Sequence, residues 1–93
     1  MNSKVETYIG FAIKKGAVVF GCDCIKNSKK NMFILLYTPT LSDNSLSTLQ
    51  QVTLRANCKL AQIEDFESLK KRNCKALAIC DKSLANAILE NLM

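Results

Sequence analysis

Residues 32–37, Met-Phe-Ile-Leu-Leu-Tyr, are the longest apolar run in the chain, and they limit what it can fold into. A strand with one wet face alternates apolar and polar side chains. An unbroken run is the pattern of a central strand covered on both faces. Six residues are far short of the roughly 20 that a membrane span requires. Thr38-Pro39 closes the run, because proline cannot continue a central ladder.

The elements around this run supply its covers. Ser3 and Glu6 have capping-box spacing, Val5, Ile9, Ala12 and Ile13 make one helical face, and Gly16 is a natural left-handed stop. Gly10 inside that helix costs about 1 kcal/mol relative to Ala unless something packs closely against it. Residues 17–20 form a short strand, and residues 21–27 one or two helical turns. Residues 42–45, Ser-Asp-Asn-Ser, offer N-caps for a helix reaching about Asn57, with Leu46, Leu49, Val52 and Ala56 inward. Residues 59–63 read as a modest strand, and Asp65 caps a short helix ending near Lys71. Residues 75–80 form another buried strand, and Asp81 caps a last helix with Leu84, Ala85, Ile88 and Leu92 on one stripe. Strands alternating with helices imply an α/β fold, a three-layer α/β/α sandwich built on one sheet. Ninety-three residues without a linker or internal repeat make one domain.

The charge is basic and uneven. Thirteen Lys and Arg against eight Asp and Glu leave a net +5. Lys14, Lys15, Lys26, Lys29 and Lys30 share their stretch with one acid, Asp23; Lys70, Lys71, Arg72 and Lys75 share theirs with none. Two such clusters suit a polyanionic partner, although Lys14 and Lys15 also stand where a helix C-terminus favours cations.

The five cysteines (22, 24, 58, 74 and 80) are odd in number and irregular in spacing, unlike a secreted disulfide framework. With a polar N-terminus lacking the architecture of a secretion signal, the expected compartment is the cytoplasm. Cys22-x-Cys24 is a candidate metal or redox pair, but four-thiolate zinc would also need Cys58 and Cys74 to converge there, and no histidine is present. Without histidine there is no default acid–base group at neutral pH and no imidazole to activate a thiol. Glycines at 10, 16 and 21 fit neither a dinucleotide nor a phosphate loop. Glu64, Asp65 and Glu67 serve equally as charge at a helix start. The chain is read as noncatalytic, without metal or cofactor.

Two blocks carry a family likeness. Tyr8-Ile-Gly-Phe-Ala-Ile-Lys-Lys-Gly-Ala-Val-Val-Phe-Gly21 and Ala76-Leu-Ala-Ile-Cys-Asp-Lys-Ser-Leu-Ala-Asn-Ala-Ile-Leu89 resemble the first and last blocks of the kink-turn RNA-binding ribosomal protein superfamily, especially its bacterial YlxQ-like branch. The resemblance implies one small mixed sheet and an RNA-docking edge opening at the glycine. Gly21-Cys22-Asp23-Cys24-Ile25-Lys26-Asn27 is similar to the family's Gly-Glu-Asp/Glu-Leu-Val-x-Lys, with Gly21, Asp23 and Ile25 in matching places and the family lysine falling on Asn27 beside Lys26. The second helix is about three residues shorter than the family pattern. The family's glycine-containing loop before the last strand is replaced by Leu69-Lys-Lys-Arg-Asn-Cys74, in which only Leu69 carries over.

The expected function is thus noncatalytic binding of structured, kink-turn-like RNA, ribosomal in the first instance, by a monomer without membrane attachment. The contacting residues would be Lys14, Lys15, Gly21, Asp23, Lys26, Asn27, Lys29 and Lys30 on one segment and Lys70, Lys71, Arg72 and Lys75 on the other. The alternatives are the same fold acting as a protein-interaction module, and a cysteine-based redox or metal protein. Of the aromatics Tyr8, Phe11, Phe20, Phe33, Tyr37 and Phe66, most read as core, and Tyr37 is the candidate for an exposed stacking surface.

Overall fold

The computed structural model describes residues 3–65 and 67–92. In chain order the elements are α1 (Ser3–Lys15), β1 (Val18–Phe20), α2 (Cys22–Asn27), β2 (Ile34–Tyr37), α3 (Asp43–Ala56), β3 (Lys59–Gln62), α4 (Glu67–Lys71), β4 (Ala76–Ile79) and α5 (Lys82–Leu92). The four strands form one mixed sheet in the order β1-β4-β2-β3. β4 runs antiparallel to both neighbours, and β2 pairs in parallel with β3.

The apolar run at 32–37 supplies an interior strand, and its pleat explains why it is apolar throughout. Ile34 and Leu36 point to a cluster with Val5, Ile9 and Ala12 of α1, Leu69 of α4, and Ala85 and Ile88 of α5. Leu35 points the other way, to Ile25 of α2 and to Leu49 and Val52 of α3. β4 divides in the same manner, Leu77 and Ile79 to the first layer, Ala76 and Ala78 to the second. Helices therefore cover both faces, and all four residues of β4 are buried. The strand itself begins at Ile34; Met32 is buried against α2 and α3 ahead of it, and Phe33 turns outward.

Three helices end in one way. Ala17 N–H reaches back to the Ala12 carbonyl, Cys58 to Thr53 and Cys74 to Leu69, each closing over a residue of positive φ. That residue is Gly16 for α1, Asn57 for α3 and Asn73 for α4, with φ of 75°, 53° and 53°. These are Schellman-type stops, which cover otherwise unpaired terminal carbonyls; asparagine is the usual substitute for glycine there. At helix starts, Ser42 Oγ accepts the Ser45 N–H at 3.2 Å, and Asp81 Oδ1 accepts the Leu84 N–H at 2.9 Å.

Several local expectations change. Ser3 is already helical, and its carbonyl accepts the Thr7 hydroxyl, so it does not stand ahead of α1 as the cap of a capping box. The capping role assigned to Asp65 turns on residue 66, which lies outside the described residues. Gly10 is not a close-packing position: a Cβ built there meets nothing within 4 Å. The glycine costs helix propensity and gains no packing within the chain. Replacing Gly10 by Ala should accordingly raise stability by about 0.5–1 kcal/mol, read as a higher urea midpoint with an unchanged slope. A lowered midpoint would show that the position is crowded after all.

Candidate nucleic-acid interface

The two ends of the sheet carry different chemistry. At one end β1 runs out into Gly21, β4 begins after Lys75, and β2 gives way to Thr38. Gly21 N–H donates to the Ala76 carbonyl at 3.0 Å, extending the β1–β4 ladder by one residue. On the other side of β4, Thr38 N–H donates to the Lys75 carbonyl at 2.9 Å. The buried Thr38 hydroxyl lies 3.0 Å from that of Thr40 and also reaches the Lys75 carbonyl at 3.4 Å. The turn at Gly21 and the segment before β4, far apart in sequence, are thereby held side by side.

Arg72 belongs to this end. Its guanidinium carbon lies 4.6 Å from the centre of the Phe20 ring, a cation–π contact that sets the charge beside the residue preceding Gly21. Lys75 follows and is exposed. Lys70 and Lys71 occupy the last turn of α4, where Lys71 is 3.6 Å from Glu67, one helical turn earlier. Asp23 is exposed in the first turn of α2, while Ile25 is fully buried beneath it and fastens the short helix to the sheet.

Gly21 has φ 86° and ψ 146°, a conformation that residues with a Cβ scarcely enter. A Cβ there would meet nothing within 4 Å. The backbone angle of the strand-to-helix turn accounts for glycine here without any ligand.

Residues 14–30 do not form one surface. α2 carries the chain back along the sheet, so the basic residues after it emerge at the opposite end, separated from Gly21 by the length of a four-residue strand, about 13 Å. There Lys30 shares a cleft with Gly16 and Ala17, which follow Lys14 and Lys15. Lys26 and Asn27 form the last turn of α2, and the Lys26 carbonyl accepts from Arg55 Nη2 at 3.1 Å. Lys29 lies in the loop beyond. The candidate contact residues therefore divide between two surfaces: Gly21, Asp23, Arg72 and Lys75, with Lys70 and Lys71 adjoining, at one end, and Lys14, Lys15, Lys26, Asn27, Lys29 and Lys30 at the other.

Lys15 is also partly engaged. Its Nζ pairs with Asp81, which caps α5, so it ties the end of α1 to the start of α5. The Lys15 hydrogen bond, and then the Leu84 amide, hold the Asp81 carboxyl below the usual aspartate range.

The cysteines spread over both layers. Cys22, Cys58 and Cys80 pack against the α2–α3 cluster and Cys74 against the other, while Cys24 is exposed. Burial pushes the thiols of Cys22, Cys58 and Cys80 up, with Lys30 partly offsetting this at Cys80. Among the described residues no group of three or more His, Cys, Asp or Glu side chains gathers as metal ligands, and no helix is long and apolar enough to cross a membrane.

The aromatic expectation reverses in part. Tyr37 is only partly exposed and packs against the α2–α3 cluster. Phe33 and Phe11 are the exposed rings, at 36% and 52%; Phe66 lies outside the described residues. Phe33 was hidden in sequence because it sits inside an apolar run whose first two residues precede the strand.

No family model and no curated protein matches the chain. Among solved structures it is similar to a protein with unknown function from Bacillus halodurans, with a TM-score of 0.76 at 8% identity over 96% of both chains. At that identity the likeness is one of fold.

The Lys15–Asp81 contact has a pH signature. A carboxyl with a depressed folded-state pKa contributes stability above its unfolded pKa, and that contribution disappears as pH falls through the folded value. Asp81→Asn keeps a capping oxygen and removes the charge. The melting temperature of wild type should exceed that of Asp81→Asn near pH 6, and the gap should close below the ordinary aspartate pKa of about 3.9. A gap unchanged down to about pH 2 would exclude the ionic contribution.

Proposed function

We propose that this domain is a noncatalytic RNA-docking module that presents the Gly21 end of its sheet to a structured, kink-turn-like RNA, ribosomal in the first instance. The observation that carries the reading is the Gly21–Ala76 hydrogen bond, which sets the glycine turn beside Lys75, with Arg72 held there by its contact with Phe20. The sequence resemblance marks the first of these segments as an RNA edge, the second is basic without an acid, and the two are distant in the chain. Arg72 and Lys75, with Lys70 alongside, would take phosphates, and the exposed Asp23 carboxylate would accept from base amino groups at the edge. The net charge of +5 favours a polyanion over a basic or neutral partner. Five free cysteines suit the reducing cytoplasm as its compartment.

The test is binding to a panel of RNAs, kinked and unkinked, of equal length and charge. Wild type should prefer the kinked members. Arg72→Ala combined with Lys75→Ala should weaken binding across the panel and lower the salt slope by about 0.7–0.9 for each phosphate no longer neutralised. Removing the Arg72 guanidinium from the Phe20 ring should cost about 0.5–1 kcal/mol of stability, small enough for the variant to remain folded. Equal affinity of wild type and variant at low salt would sink the proposal and leave a protein-interaction module as the reading.

A further inference from the structure

The end of the sheet opposite Gly21 has its own architecture, which the RNA reading leaves unused. Two adjoining clefts of about 440 and 470 Å³ open there. Lys30, Asn31 and Phe33 line both; Lys29, Arg55 and Asn57 are among the others lining the first, and Gly16, Ala17 and Cys80 complete the second. Each is within the roughly 300–1,000 Å³ of small-ligand sites.

The loop that builds them is held at both ends. Lys30 N–H donates to Ser28 Oγ at 3.1 Å, closing a tight turn just after α2. Phe33 N–H donates to the Ile79 carbonyl at 2.9 Å, fixing the other end to β4. Between them Met32 is buried against α2 and α3, and Phe33, at a bend just ahead of β2, is left exposed. Arg55 is steadied by the bond from its Nη2 to the Lys26 carbonyl, which leaves its other N–H groups for a ligand. None of the described residues lining either cleft is acidic.

A ring between two clefts, three cations and a side-chain amide form a combination that a plain solvated lysine loop does not need. We infer that this end of the sheet binds single-stranded nucleic acid, with a base against Phe33 and phosphates along Lys29, Lys30 and Arg55. The ring decides between polyanions. An acidic peptide would use the cations alone, whereas a nucleotide offers both a negative backbone and a flat π face. Asn31, exposed and common to both clefts, is placed to hydrogen-bond a base edge. This site is distinct from the Gly21 end and stands whether or not that end binds RNA.

The experiment uses the whole chain and a fluorescent single-stranded octamer, about the length that small single-strand sites accept. Anisotropy is measured across a salt series, and isotope-labelled protein reports the contact surface through its amide shifts. Shifts should concentrate at residues 28–33 and 55–57. Phe33→Leu keeps apolar bulk and should weaken binding by about 5-fold to 100-fold, with little change in salt slope. Phe33→Tyr keeps the face and should bind as wild type does. Lys29→Ala with Lys30→Ala should instead lower the slope by about 0.7 for each phosphate released. Arg72→Ala with Lys75→Ala should leave the octamer-induced shifts at residues 28–33 and 55–57 and the effect of Phe33→Leu in place, which separates this site from the one proposed for structured RNA. Three results would each overturn the inference: no shifts at residues 28–33 at saturating octamer, binding indifferent to Phe33→Leu, or octamer binding abolished only by removing Arg72 and Lys75. Equal affinity for a polyglutamate peptide at the same residues would overturn it too, as the mark of a general anion surface.

Discussion

The pairing of β2 with β4 sets where everything else can go. Both strands lie inside the sheet, so their backbone groups are satisfied on two sides and their side chains are enclosed above and below. Leu36 opposite Leu77 and Leu35 opposite Ala78 fix a register in which Leu36, Leu77 and Ile79 meet α1, α4 and α5 while Leu35 and the alanines of β4 meet α2 and α3. A slip by one residue would exchange those faces, placing alanines where leucine and isoleucine fill the α1–α5 layer. Each fully buried Leu or Ile contributes about 1.5–3 kcal/mol relative to exposure, so this register is strongly held.

That pairing also creates both candidate surfaces. β4 runs antiparallel to β1 and β2, so its first residues meet the ends of both neighbours. The Gly21 turn, Thr38 and Lys75 come together for that reason. At its other end β4 receives Phe33 through Ile79 and leads into Cys80 and the Asp81 cap, which draws in Lys15. A small sheet has only two ends, and the basic residues of this chain have been divided between them by the short return of α2.

Charge alone would not have revealed the division. Five lysines among residues 14–30 look like one basic patch when counted along the chain. Six helical residues of α2, anchored by the buried Ile25, are enough to reverse direction and carry Lys29 and Lys30 back to the end where α1 stops. The cations that remain beside Gly21 come from the other segment. The surface there is sparser, and Arg72 stacked on Phe20 holds much of its fixed charge.

The order of elements, the interior position of residues 32–37 and the stop at Gly16 were legible from residue types, because burial on two faces, helix periodicity and left-handed backbone each have a local compositional cost. The three-layer sandwich followed from that order, whereas the mixed sheet was expected only from resemblance. Asn73 as a helix stop was missed, since asparagine marks left-handed positions less uniquely than glycine. Gly10 misled, because a glycine reads the same whether it is crowded or stands in open space. Tyr37 and Phe33 exchanged roles, because an apolar run does not disclose where its backbone enters the sheet. Local chemistry thus determined the strands, the helices and most of their ends. Only the tertiary structure decided which basic residues face one another, because that depends on the direction each short connection takes across a sheet four residues deep.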